Sequence, residues 1–321
     1  MKNDAIHMDD LVDAANPERV LEEVRGVLTG ILTEIDLQRL EQVFLDVRRL
    51  FAGSFPGYDG CSTRYHDLEH TTDAFLAMAR ILHGAGARGR SLGRDTVLLG
   101  LISALMHDTG YIKREDDHTG SGAKYTTTHV LRGIDFSREY LLSHGYSPED
   151  CEVCRSMILC TGIDIGIGRI AFRSGNDALA GRMLGTCDLV GQMARRNYME
   201  KLPYLYRELV EGGVLRHGSE YRFLVDTVPF SRSALDRIAG ELGGEVRYLR
   251  DHFRVRRGID RNLYLEGIEE NISHLESVLR SRPGNYRACL KREPRGKPLL
   301  TATIRGEHPS SAVLVTSPTA G

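Results

Sequence analysis

Two histidines four residues apart, His66 and His70, stand in the run Arg64-Tyr65-His66-Asp67-Leu68-Glu69-His70. Residues at that spacing on a helix share a face, so both imidazoles can point into one pocket. Further on, the apolar run Ala104-Leu105-Met106 ends in His107-Asp108. Burying an imidazole beside a carboxylate is costly unless something pairs with them. A divalent metal is the simplest partner, because neutral imidazole and carboxylate oxygen suit Zn, Mn, Fe or, with more oxygen, Mg. Another carboxylate, Asp188, lies between Gly185-Thr186-Cys187 and Leu189-Val190, a setting too hydrophobic for an idle charge. The four residues form a His, His, Asp, Asp set. Open toward solvent, a metal held this way can generate hydroxide and polarise a phosphorus centre. The chemistry implied is hydrolysis of a phosphate ester.

Such side chains need a helical frame, and the chain supplies one. Asn16-Pro17 is a helix start, with Asn as N-cap and Pro in the first turn. Apolar residues then recur at spacings of three and four. The periodicity predicts further helices over 35–52, 67–84, 95–107, 127–144, 148–161, 176–196, 199–211, 231–254 and 261–282, and no sustained alternating strand. The expected fold is an all-α helical bundle with additional C-terminal helices: one domain over 16–283, a flexible N-terminus over 1–15, and a flexible basic tail over 284–321 carrying Arg287, Lys291, Arg292, Arg295 and Lys297.

Composition narrows the classes. With 321 residues, 41% of them hydrophobic, the chain has enough apolar material for a sizeable core. Forty-two Lys and Arg oppose 44 Asp and Glu, a net charge of −2, which gives no general field for nucleic acid or an anionic membrane. The apolar run Val97 to Met106 falls well short of the ~20 residues a membrane span needs. The acidic N-terminus lacks an apolar signal segment, so a cytoplasmic location is expected. Six cysteines, four of them (Cys151, Cys154, Cys160, Cys187) in apolar or helical surroundings, read as reduced core thiols. The lone Cys151-x-x-Cys154 has no second pair to complete a zinc site.

On these motifs the chain resembles the HD superfamily of metal-dependent phosphohydrolases, over roughly residues 60–200. Tyr65-His66-Asp67-Leu68-Glu69-His70 is similar to the Y-H-N-x-x-H motif of the cyclic-nucleotide phosphodiesterase branch, with Asp67 where that branch has Asn. The resemblance implies that His70, His107, Asp108 and Asp188 hold one or two divalent ions (Mn, Mg, Zn or Fe), with Asp108 as the bridge if two bind. His66 then takes the position that protonates the leaving alkoxide, a task suited to imidazole. Asp164 is the rival to Asp188, ranked second because its surroundings read as a loop.

Two departures bear on the metal count. The branch reads His-Asp-x-x-His, whereas Tyr111 occupies the last position here. His129, in Thr128-His129-Val130-Leu131-Arg132-Gly133, resembles a helix start that supplies an extra ligand in other HD branches. The segment from Gly110 to Thr126 should edge the site, with Lys124 and Tyr65 as candidates for touching substrate, although a loop without ligand role is equally compatible with Lys124. The acidic run Glu115-Asp116-Asp117 reads as a solvated turn. The expected activity is hydrolysis of a phosphodiester of a cyclic or other nucleotide signal. The alternatives are a nucleotide phosphomonoesterase, a ligand sensor without turnover, and an oxidative di-iron enzyme, which would need further histidines such as His129 and His118.

Overall fold

The computed structural model describes residues 6–216 and 218–292 and is all-helical. In chain order the helices are α1 (Pro17–Leu28), α2 (Glu34–Phe51), α3 (Leu68–Ala87), α4 (Arg94–Met106), α5 (His129–Ser143), α6 (Pro148–Ile158), α7 (Gly175–Met193), α8 (Tyr198–Glu211), α9 (Glu220–Ala239), α10 (Arg247–Arg257), α11 (Leu263–Ser281) and α12 (Tyr286–Cys289). No strand occurs among the described residues, only two isolated bridges. No described helix is long and apolar enough to cross a membrane.

Short polar side chains start these helices where backbone N–H groups would otherwise lack partners. Asn16 accepts from the Glu18 and Arg19 amides, and Thr33 and Ser147 form reciprocal capping boxes with Asp36 and Asp150. The centre of the bundle is α3, packed against α1, α4, α7 and α10. Every residue of α4 from Val97 to Met106 is buried, which explains an apolar run without a polar face. A Cβ on Gly84 of α3 would fall 1.8 Å from the Tyr248 carbonyl oxygen, so a glycine there lets α10 close on the central helix.

Three expectations change. The helix anticipated over 231–254 is two: α9 begins at Glu220 behind its Ser219 cap, and α10 begins at Arg247. Between them Gly243 and Gly244 take φ of 73° and 66°, a left-handed conformation that ends helical propagation. The N-terminal segment is packed from Ile6 on: Met8 is buried, Asp9 pairs with Arg195, and Asp10 meets Arg196 at 2.9 Å. Its acids neutralise the arginines that follow α7, so the described part of the run expected to be flexible is an ion-paired strap. The start of the C-terminal tail is also fixed, with Arg287 paired to Glu220, Arg292 on Glu270 at 2.8 Å, and Leu290 buried. Arg295, Lys297 and the remainder of the expected tail lie outside the described residues, as do residues 1–5.

The cysteines behave as core thiols. Cys151, Cys154, Cys160 and Cys187 are free and buried, and burial pushes the Cys154 thiol up to about 12.

Candidate metal centre

His70 sits in the first turn of α3. Asp67 caps that turn, its carboxylate accepting from the His70 amide at 3.0 Å, and also receives Lys201 Nζ at 3.1 Å. The charge that distinguishes Asp67 from the expected Asn therefore has a counterion. His107 and Asp108 follow the last turn of α4, where the chain tightens into a short 3₁₀ turn over Thr109–Tyr111. Asp188 projects from the second half of α7, and His129 opens α5.

These side chains converge. His70 Nε2 lies 3.0 Å from Asp108 Oδ2 and 3.2 Å from Asp188 Oδ1. His107 Nε2 lies 3.5 Å from each of the same two oxygens and 3.3 Å from His70 Nε2. His70, His107 and Asp108 are all buried and could hold a metal ion, their donor atoms lying within 4.8 Å of one another. Asp188 closes the set through its two imidazole contacts. Asp164, the alternative acid, is exposed in the loop after α6 and takes no part.

The polarity of the cluster calls for a positive charge at its centre. His107 Nδ1 faces the Ala104 carbonyl at 2.9 Å. Only an N–H can be bonded there, so in the neutral ring Nε2 carries the lone pair. His129 repeats the arrangement, with Nδ1 on the Thr126 carbonyl at 2.7 Å and Nε2 turned to Asp108 Oδ1 at 3.7 Å. Lone pairs thus face carboxylate oxygens. Asp108 Oδ2 is buried and, although near His70, meets no donor in hydrogen-bonding alignment. Such a group of acceptors is stable around a cation, or with protons on the ring nitrogens.

The acid-base shifts follow the same logic. Burial alone would depress His70, but the Asp108 and Asp188 carboxylates, 3.0 and 3.2 Å from its Nε2, outweigh it and hold the imidazole up at about 10. His107 is raised as well, burial again opposing and the two carboxylates prevailing. For Asp108 and Asp188 burial works upward, yet the adjacent imidazoles pull both carboxyls well below the ordinary range. The donor set of two or three imidazoles and two carboxylates fits a divalent ion.

His66 stands apart from this charge centre. Its Nδ1 is 2.8 Å from Glu208 Oε2, and Glu208 Oε1 accepts from the backbone N–H groups of Arg64 at 2.6 Å and Tyr65 at 2.7 Å. Burial pushes Glu208 up, but the His66 contact and these amides bring it below the usual glutamate value. An ionised Glu208 accepts the Nδ1–H and leaves Nε2 of His66 for proton transfer. The Tyr111 ring lies 4.3 Å from that of His66 and 4.4 Å from that of His129, nearly parallel to both, and the two imidazoles are 6.2 Å apart. The residue that replaces the expected histidine packs against both His66 and His129.

The 3₁₀ turn reaches α5 through two glycines. A Cβ on Gly110 would lie 1.9 Å from the His129 carbonyl oxygen, and one on Gly133 would lie 2.9 Å from the His107 carbonyl oxygen. The glycine four residues after His129 thus lets α5 pack on the end of α4 and brings His129 to Asp108.

Other candidates fall elsewhere. Lys124 Nζ is paired with Asp117 and bonds the Thr119 carbonyl at 2.7 Å, so its charge is used within its own loop. Tyr65 is buried, its ring stacked 6.3 Å from that of His70. His118 is exposed. Glu208 was not foreseen: an acid among the tyrosines and leucines of α8 carries no local signal of its partner 142 residues away.

The chain matches no protein-family model, no curated protein and no solved structure.

Proposed function

We propose that the chain is a metal-dependent phosphohydrolase of the HD superfamily, acting on a phosphodiester of a nucleotide or related small molecule. The observation that carries this reading is the juxtaposition of two unlike units: a buried His70-His107-Asp108-Asp188 cluster suited to a divalent ion, and a separately oriented imidazole, His66, backed by Glu208.

His70, His107, Asp108 and Asp188 would hold the ion, with His129 and Asp108 able to share a second. A divalent ion there supplies Lewis acidity toward a phosphoryl oxygen and lowers the pKa of water. The protein's own residues do the rest. Burial excludes bulk water around the cluster and strengthens each electrostatic contact within it. Glu208 retains the Nδ1 proton of His66 and fixes the ring, and Nε2 delivers a proton to the oxygen that leaves phosphorus. Attack of water on phosphorus forms one P–O bond as the ester P–O bond breaks, and the leaving oxygen departs as an alcohol.

A sensor without turnover has no use for an oriented proton donor, so the His66–Glu208 pair favours the enzymatic reading. The oxidative reading gains no support from His118, which lies exposed on the loop. The deciding experiment is hydrolysis of bis(p-nitrophenyl) phosphate with added manganese by the wild type and Asp108→Ala. Manganese-dependent release by the wild type alone supports a phosphodiesterase. No release from folded, metal-loaded wild type, with release from p-nitrophenyl phosphate, moves the assignment to a monoesterase, and failure on both substrates rejects the reading.

A further inference from the structure

Outside the Arg64–Tyr65 backbone, whose amides face inward to Glu208, the surface opens into a cleft of about 440 Å³. Arg64, Tyr204, Arg207, Arg287 and Lys291 are among the residues lining it, and Glu200 is its one acid. Arg287 is held by Glu220. The other cations are not matched this way. The guanidinium of Arg64 lies 5.5 Å from the centre of the Tyr204 ring and that of Arg207 lies 5.9 Å from the same ring. Neither they nor Lys291 meets a carboxylate among the described residues. Close by, Lys201, Arg195 and Arg196 all have acid partners.

Like charges gathered without counterions repel one another, and the chain as a whole carries no excess of positive charge. Each guanidinium lies over the same tyrosine ring and is tied to no carboxylate among the described residues, so its N–H groups are available to grip phosphate bidentately. The cleft volume falls in the range of small-molecule sites.

We propose that this cleft binds the phosphates of a small phosphorylated ligand, with Arg64 and Arg207 as the principal contacts. That the ligand is the remote end of the substrate rests on the phosphohydrolase reading; that the cleft takes phosphate does not. Because Arg64 shares its backbone with the amide that holds Glu208, occupation of the cleft sits one peptide unit from the support of His66.

The test is titration calorimetry of the full chain with pyrophosphate in the presence of chelator, so that no metal or turnover contributes. The wild type and Asp108→Asn should bind alike, added salt should weaken both, and the pair Arg64→Gln and Arg207→Gln should weaken binding at least tenfold with unchanged circular dichroism and Tm. The pair Arg64→Lys and Arg207→Lys, which keeps the charge, should recover part of the loss. Binding unaffected by the glutamine pair, or no binding by the wild type, overturns the proposal. So does a single-stranded oligonucleotide that displaces pyrophosphate and binds far more tightly, which would assign the arginines to nucleic acid. Competitive inhibition of bis(p-nitrophenyl) phosphate hydrolysis by pyrophosphate, lost in the glutamine pair, identifies the remote end of the substrate, whereas a change in kcat without competition identifies a separate effector. Pyrophosphate binding without any esterase turnover would sink the phosphohydrolase reading and leave the phosphate site standing.

Discussion

Glu208 accepts the Nδ1–H of His66 at 2.8 Å across 142 residues of sequence, and with its other oxygen takes the two amides on the N-terminal side of that histidine. One carboxylate thus fixes the tautomer of a ring and the backbone that carries it. Glu208→Gln keeps the shape but removes the charge that stabilises an imidazolium. The expected result is a fall in kcat of about 10–100-fold, the usual scale for a supporting partner of a reactive imidazole, with bound metal unchanged. Metal analysis beside steady-state kinetics checks both halves, and loss of metal would show that Glu208 supports the cluster instead.

On the proposed reading, His66 as proton donor and the metal-holding residues should separate under mutation. His66→Ala should retain metal and lose about 10²–10⁴-fold in rate on esters with alkyl leaving groups. It should lose far less with p-nitrophenolate, which needs no proton to depart. Asp108→Ala should lose metal and activity together, because Asp108 contacts His70, His107 and His129. A His66 variant that purifies without metal would make that residue a ligand.

On the proposed reading, protons and a metal would compete for the same nitrogens. The folded-state pKa of His70, about 10, is above its ordinary 6.5, so in metal-free protein its protonation contributes stability that is fully present below pH 6.5 and is lost as pH rises through 10. The carboxyls of Asp108 and Asp188 are depressed and contribute stability present above the ordinary aspartate value and lost as pH falls through their folded values. Chelated protein should therefore show a declining Tm between pH 7 and pH 10, and added zinc at pH 9 should restore it. Calorimetry at pH 7 in buffers of different ionisation enthalpy should register proton release on metal binding. A flat Tm across this window in chelated protein would contradict the charge arrangement.

Parts of this site were readable from residue types and spacing. Helical spacing put His66 and His70 on one face, but α3 begins only at Leu68 and His66 precedes its Asp67 cap; the apolar context of His107-Asp108 and Asp188 marked charges that needed a partner, and these three converge with His70. Glu208 and the Asp67–Lys201 pair were not readable, because their partners arrive only when α8 folds over the start of α3. The pairing of Lys124 was hidden for a related reason. A lysine in a glycine-rich loop is free on paper, and only the loop's closure on Asp117 shows where its charge goes. The N-terminal acids read as part of a flexible run until Arg195 and Arg196, far along the chain, appeared beside them. Local pattern found the groups that must be buried together, whereas partners set by tertiary contact left no periodic trace.

Gly110 tests whether the tight turn after Asp108 positions His129. An added Cβ would lie 1.9 Å from the His129 carbonyl oxygen and 2.7 Å from the Gly133 nitrogen, and since both are backbone, α5 or the turn must move. Gly110→Ala should destabilise the fold by about 1–3 kcal/mol, the cost of overpacking. It should also pull His129 from Asp108 and disturb Tyr111 against the two imidazoles. Gly86→Ala is the control: it lies within α3 with nothing within 4 Å of its added Cβ and no positive φ, so the substitution should be neutral or stabilise by up to about 1 kcal/mol. Urea unfolding of both variants measures the stability, and metal stoichiometry measures the site. If His129 serves a second ion, Gly110→Ala should lose that ion and keep the one held by His70, His107 and Asp188. Equal stability of the two variants would mean that the turn and α5 part without cost, and that the approach of His129 to Asp108 does not depend on the glycine.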